Sequence, residues 1–266
     1  MKILCLAMVI VFLVMMFPLV ASSIDDKTLV LYLPFNEGSG TIARDYSGAG
    51  NDGVLKGAAK WTDGKVGKAV SFHNDDGYVE VEKYIALDNR PFTVEAWIYR
   101  FKDQKETWDA ILTQIESLST SKGLHFGIRR DSDNPSACAT FAFYGNDVNS
   151  TVGIAKEEWY HLAGVYTGKK QQLFINGKLD TERDAAAYAG TKGNIFIGVR
   201  PEMEGAALGT HGLQFDGVID EVAVYQRALS EAEIKQDMDT AVKSLAVFPA
   251  GKLAATWGDM KRGEIE

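Results

Sequence analysis

The stretch Phe92-Thr93-Val94-Glu95-Ala96-Trp97-Ile98-Tyr99-Arg100 decides how this chain folds. Phe92, Val94, Ala96 and Ile98 recur at every second position, with Thr93, Glu95, Trp97 and Tyr99 between them. Strand side chains point alternately to opposite faces, so this segment predicts a strand with one apolar face turned to a core. Its other face carries two aromatic rings and a carboxylate.

Outward from there the pattern repeats. Leu29-Val30-Leu31-Tyr32-Leu33 opens the first strand, and segments 69–73 and 77–82 flank the turn Asn74-Asp75-Asp76-Gly77. Further strands are predicted over 109–115, 123–130 and 138–145. Trp159, His161, Ala163 and Val165 share a face of the next one. Leu173-Phe174-Ile175-Asn176-Gly177-Lys178 is the strongest hairpin signal, because Asn-Gly accepts the positive φ values of a two-residue type I′ turn. Segments 193–199 and 214–226 complete the series. The 26 glycines cluster with Asn, Asp and Ser between these runs, as in sandwiches and barrels of short strands. One helix interrupts the pattern. In Ser230-Glu231-Ala232-Glu233 the serine and the second glutamate form a capping box, with Leu229 and Ile234 at the staple positions, and the helix is expected to run to about Ala241.

Bulk properties set the context. Met1-Lys2, an uncharged apolar run from Ile3 to Val20 and the small residues Ala21-Ser22-Ser23 follow the layout of a secretory signal. The competing reading is a retained membrane anchor; either one exports the chain to the periplasm, the cell surface or the medium. Removing residues 1–23 leaves a length suited to one large all-β domain, with two small ones as the alternative. The organisation read here is a signal over 1–23, a sandwich over 24–242 and an extension of unassigned role over 243–266. Cys5 lies in the signal, so Cys138 has no internal disulfide partner. The net charge of −8 becomes more negative once Lys2 is removed, which argues against nucleic acid and anionic lipid as partners.

Several of these stretches, in this order, resemble the bacterial laminin G-like family of the concanavalin A-like lectin/glucanase superfamily. They are Tyr32-Leu33-Pro34-Phe35-Asn36-Glu37-Gly38-Ser39-Gly40, the loop Asp45-Tyr46-Ser47-Gly48-Ala49-Gly50-Asn51-Asp52-Gly53, and Gly67-Lys68-Ala69-Val70-Ser71-Phe72. The strand at 92–98, Trp159 to Tyr166, Phe174-Ile175-Asn176-Gly177 and the closing segment Phe215 to Tyr225 follow. The resemblance implies two packed antiparallel sheets in a jelly roll, with the first and last strands adjacent. It also implies a structural calcium ion joining the 45–53 loop to the last strand, held by Asp45, Asn51, a backbone carbonyl near Gly53, and Asp220. Calcium takes six to eight hard oxygens, and such a loop can supply them; turn-building by the same Asx and Gly residues is the alternative.

Motifs for chemistry are sparse. Gly48-Ala49-Gly50-Asn51-Asp52-Gly53 matches a dinucleotide fingerprint, but neither a preceding strand nor a following helix frames it. Glu80-Val81-Glu82 lacks a third acidic partner for glycosidase work, and in Asp220-Glu221 strict alternation would send the two carboxylates to opposite faces. His125 and Arg129 share a strand face without an identifiable third member. His161 alternates with apolar residues and reads as packed. No catalytic residue is assigned. The binding candidates are Trp97 and Tyr99 on the outer sheet surface, with polar help from Glu95 or Arg129. The expectation is therefore an exported, non-catalytic module binding carbohydrate or glycoprotein. Adhesion to other proteins is the alternative, and a glycan-active enzyme the third.

Overall fold

The computed structural model describes residues 26–73, 77–101, 108–115, 122–131, 134–143, 145–201 and 213–247. The signal segment 1–23, the turn at 74–76 and the tail 248–266 lie outside the described residues.

Chain order runs β1 (Leu29–Leu33), β2 (Ile42–Ala43), β3 (Gly53–Lys56), β4 (Lys60–Asp63), β5 (Lys68–Phe72), β6 (Tyr78–Val81), β7 (Phe92–Arg100), β8 (Trp108–Gln114) and β9 (Leu124–Asp131). It continues with β10 (Asn134–Ala142), β11 (Asp147–Gly153), β12 (Trp159–Tyr166), β13 (Lys170–Ile175), β14 (Lys178–Asp184), β15 (Ile195–Ile197), β16 (Val199–Arg200), β17 (Leu213–Gln214), β18 (Gly217–Tyr225) and α1 (Glu231–Val247). Two antiparallel sheets carry the fold. The first runs β14-β13-β12-β7-β18-β5-β4, with β1 also paired to β18; the second runs β11-β10-β9-β8-β15-β6-β3-β2. The all-β sandwich expected from the strand pattern, with the jelly-roll topology that the family resemblance implies, is the fold observed; its first and last long strands are neighbours, Leu33 opposite Val222 and Tyr32 opposite Ala223.

The alternation at 92–100 is realised as written. Phe92, Val94, Ala96 and Ile98 enter the core between the sheets, where they join Leu31, Leu33, Phe126, Phe141, Leu162 and Val224. Gly164 lets the layers close: a Cβ there would sit 2.5 Å from the Phe141 ring. Asn176 and Gly177 turn the β13–β14 hairpin with φ of 49° and 75°, the conformation that Asn-Gly was expected to supply.

A second, smaller apolar cluster lies on the outer face of the first sheet. Ala163, Val165, Phe174, Ala223 and Tyr225 pack there against Leu229 and Ile234, so α1 covers part of that face. The capping box forms: the Ser230 amide donates to Glu233 Oε2 at 2.8 Å, and the Glu233 amide reaches Ser230 Oγ at 3.4 Å. The helix continues to Val247 rather than ending near Ala241. It takes in the start of the 243–266 extension, because Ala241-Val242-Lys243-Ser244-Leu245 contains no Gly or Pro to end it. Among the described residues no helix is long and apolar enough to cross a membrane. Cys138 is buried, and its thiol donates to the Arg129 carbonyl at 3.5 Å.

Candidate functional site

The outer face of the first sheet is built from the polar and aromatic half of β7 and its two neighbours. Register places Trp159 opposite Tyr99 and His161 opposite Trp97 on one side. Val218 lies opposite Tyr99, and Asp220 opposite Trp97, on the other. Where β7 ends, the chain leaves Tyr99 and Phe101 half-exposed beside Trp159. Tyr99 packs at 5.5 Å from Trp159 and 5.9 Å from Phe101, and Phe101 stacks at 4.8 Å and 12° on His73. Four rings from three separate segments thus form one continuous row: Trp159, Tyr99, Phe101, His73.

Trp97 does not belong to this row. Only 6% of it is exposed. The Lys65 ammonium lies 4.6 Å from its ring centroid and the His161 ring meets it edge-on at 5.4 Å. The expectation of an open Trp97 is corrected by α1 and the 64–67 loop, which close over this part of the sheet. Arg129 is separated more completely. It projects from β9 in the second sheet, opposite Cys138 and Trp108. There its guanidinium lies 5.2 Å from the Trp108 ring and pairs with Asp147 at 3.0 Å. Packed sheets stand about 10 Å apart, so the outer surface of one cannot assist rings on the outer surface of the other. His125 does share the Arg129 face; burial pushes its imidazole down to about 3, and it packs 6.1 Å from Trp108.

The 45–53 loop is closed by its own hydrogen bonds. Asp45 Oδ1 accepts from the Tyr32 and Ser47 amides, each at 2.9 Å, and Oδ2 accepts from Ser47 Oγ and the Asn51 amide, each at 2.8 Å. Asn51 Nδ2 donates to the Val30 carbonyl at 2.6 Å, leaving its buried Oδ1 without a partner. Gly53 sits in β3, paired with Ala43 and Val81. Asp220 serves a different loop: its Oδ2 accepts from the Val66 amide and its Oδ1 from the Glu221 amide, each at 2.9 Å. Among the described residues no group of three or more His, Cys, Asp or Glu side chains is arranged to hold a metal ion. Asp45 already has four donors, and Asp220 is engaged elsewhere, so these residues do not fit a single ion bridging the two chain ends.

Asp220 and Glu221 depart from the expectation that they face opposite ways. Between Asp220 and Ala223 the register of β18 slips against β7, which places one extra residue on β18, a β-bulge. Glu221 occupies it with φ of 52°, a left-handed conformation that costs a non-glycine residue about 1–3 kcal/mol. The bulge keeps both side chains on the outer side. Glu221 now lines a cavity of about 50 Å³ beneath α1, together with Tyr32, Glu95, Trp97, His161, Tyr225 and Asp237. Burial raises the Glu95 carboxyl well above the usual range, and the neighbouring Asp237 reinforces the shift. Burial raises Glu221 to about 7 and also raises Asp237. His161 is pushed down to about 3 by burial, so it is neutral beside Glu95. Sequence reading treated Glu95 as an accessory, packed His161 correctly, and missed Glu221 and Asp237 as members of one cavity. Their signal is absent from any local pattern.

A two-sheet antiparallel jelly roll with paired terminal strands defines a concanavalin A-like sandwich. The chain belongs to the concanavalin A-like lectin/glucanases superfamily, whose laminin G model matches residues 73–235. Mouse pappalysin-1 is 23% identical over 210 residues, 73% of this chain but 12% of that protein. Domain 4 of AbnA, an extracellular arabinanase from Geobacillus stearothermophilus solved with arabinotriose, superposes with a TM-score of 0.61 at 16% identity, over 79% of this chain and 98% of that one. The receptor binding domain of botulinum neurotoxin type G gives 0.59 at 12% identity, over 80% and 51%. A trans-sialidase-active mutant of Trypanosoma rangeli sialidase gives 0.57 at 17% identity, over 79% and 33%. These likenesses concern the fold, which hosts both binding domains and enzymes.

Proposed function

We propose that this protein is an exported, non-catalytic binding module that holds carbohydrate, free or on a glycoprotein, on the row formed by Trp159, Tyr99 and Phe101. That contiguous row carries the reading. Amphipathic rings with part of their surface wet provide an apolar platform with polar tips, the arrangement a sugar ring needs. The arabinotriose named with the arabinanase domain supports a saccharide as the ligand class, and the signal-like segment at 1–23 supports export.

The reading gives the carboxylates no catalytic role. Glu221 and Asp237 are each engaged by a tyrosine hydroxyl, Tyr32 and Tyr225, and with Glu95 they are gathered at one buried spot beneath α1, whereas a glycosidase pair flanks its scissile bond. A glycan array followed by calorimetry on the purified protein tests the proposal: a saccharide should bind, and Trp159→Ala should weaken it at least tenfold with folding intact. Retention of full affinity in that variant, or turnover of the bound glycan, would sink it.

A second reading, docking of a protein partner on the same sheet, is favoured by the neurotoxin DC binding domain solved with rat synaptotagmin II, a fold neighbour at 14% identity and a TM-score of 0.60. Pull-down by the wild type and not by Tyr99→Ala, with no array signal, is the outcome that selects it.

A further inference from the structure

We propose that the cavity beneath α1 is a binding site for a primary ammonium group, gripped by Glu95, Glu221 and Asp237 against the rings of Tyr32, Trp97 and Tyr225. The proposal goes beyond glycan binding on the ring row and stands on separate residues.

Three observations carry it. The cavity of about 50 Å³ has room for roughly three waters at ~15 Å³ each, which suits a small head group. Its lining is acidic: three carboxyl groups face it and His161 is the remaining titratable nitrogen among the lining residues, while two cations act on it from outside the lining, Lys65 over Trp97 and Arg227 on Glu95 and Asp237. Finally, residues lining it keep buried polar atoms without partners. Glu95 is 3% exposed and His161 3%, yet Glu95 Oε2 and His161 Nδ1 make no hydrogen bond, nor does Trp97 Nε1. Buried polar groups are otherwise almost always satisfied. An orphaned carboxylate oxygen is a ready acceptor for N–H donors.

The chemistry of the walls selects the cation. An ammonium offers three donors, matching three carboxyls from β7, β18 and α1, and its charge is attracted to aromatic faces. Trp97 already holds the Lys65 ammonium over its ring at 4.6 Å, so the indole is in use as a cation surface. The bulge supports a function for the site, since it places Glu221 in a strained conformation with its carboxylate at the cavity, and such strain clusters at functional positions. Tyr32 donates to Glu221, and Tyr225 donates to Asp237 at 2.7 Å. Those two carboxylates are thereby oriented while Glu95 Oε2 stays available. Binding requires no covalent step; any carboxyl proton displaced as the ammonium enters leaves to solvent.

The same head group can arrive as a free amine or on an amino sugar. The test follows the Trp97 indole N–H by NMR in the full chain at pH 7.5, assigned by its disappearance in Trp97→Phe. Methylammonium chloride should shift it saturably, methanol at equal concentration should not, and Glu95→Gln should weaken the effect at least tenfold. Glu221→Gln serves as the second variant, each checked for an unchanged or raised Tm. Glucosamine binding tighter than methylammonium, with N-acetylglucosamine silent, identifies an amino sugar; equal or weaker binding identifies a free amine. No saturable shift, an equal shift with methanol, undiminished binding in both folded variants, or tighter saturation by calcium than by methylammonium overturns the proposal.

Discussion

The Tyr32 hydroxyl donates a hydrogen bond to the Glu221 carboxylate, joining β1 to the bulge in β18 across 189 residues of sequence. It is the described side-chain donor to a carboxylate that burial would otherwise leave exposed to a large desolvation cost, and the bond favours the ionised form against that burial.

The pH dependence of Glu221 follows from that balance. Its folded value, about 7, lies above the 4.5 of an ordinary glutamate. Below pH 4.5 both states hold the proton and there is no penalty. As pH rises to 7 the unfolded chain ionises first, so stability is lost; above 7 the loss is complete, on the order of 3 kcal/mol. Glu95 and Asp237 face the same cavity and act in the same direction, whereas Arg227 opposes them. The buried histidines His125 and His161, held near 3, act oppositely and lose stability on acidification. Comparing Glu221→Gln with the wild type cancels the histidines and Asp237, while Glu95 and Asp220, which the Glu221 charge raises, are relieved with it and add to the difference in the same direction. Urea unfolding should find the variant more stable by about 2–3 kcal/mol at pH 8 and equal to the wild type at pH 4. A constant difference across that range would contradict the assignment.

The two tryptophans of the outer face should separate stability from binding. Trp97 is buried between the 64–67 loop, His161 and the cavity, so Trp97→Ala is expected to cost about 3–5 kcal/mol. Trp159 is half-exposed, and Trp159→Ala should cost about 1 kcal/mol while removing glycan affinity. Thermal melts and calorimetry on both variants check the pair. Equal losses of stability, or glycan affinity that depends on Trp97 alone, would contradict the division.

How much of this was legible in the sequence depended on whether the signal was local. Period-two alternation fixed the faces of β7, Asn176-Gly177 fixed a hairpin, and Ser230 with Glu233 fixed a helix start. The polar edge strands β4 and β11 were not read, because Lys60–Asp63 and Asp147–Gly153 have little apolar alternation. Edge strands have one unpaired side and need no buried face on both. The ring row and the cavity are set by register between strands far apart in sequence. Alternation assigns Tyr99 and Arg129 to strand faces but does not say which sheet each strand joins, hence their false grouping. The bulge at 220–223 is invisible without β7 alongside. It alone reverses the expectation for Glu221.

Asp45 should matter for stability without calcium. Its carboxylate accepts four hydrogen bonds that fold the 45–51 loop and anchor it to β1. Bonds to a charged acceptor contribute ~1.5–3 kcal/mol each in favourable cases and are not additive. Asp45→Ala is expected to destabilise by about 3 kcal/mol, equally in calcium and in chelator. The wild-type melting temperature should be the same in both. A ligand present at a hundred times its Kd adds ~2.7 kcal/mol, so a bound ion would raise the melting temperature visibly and would restore the calcium role that the loop's resemblance implies.

The docking of α1 is the remaining test of the outer face. Ile234 is fully buried against Ala163, Val165 and Tyr225, next to the capping box and one turn before Asp237. Replacing it by alanine removes the helix's anchor while leaving the core between the sheets untouched. Ile234→Ala should cost about 2–4 kcal/mol if unfolding is fully cooperative. Helix opening below the global transition would appear instead as local exchange. Backbone amide exchange should accelerate across α1 and leave β7 and β12 protected, and the Trp97 indole should become accessible to acrylamide quenching. Unchanged quenching with accelerated exchange in α1 would mean that the indole is shielded by Lys65 and the 64–67 loop rather than by the helix, and that the cavity does not depend on α1 for its roof.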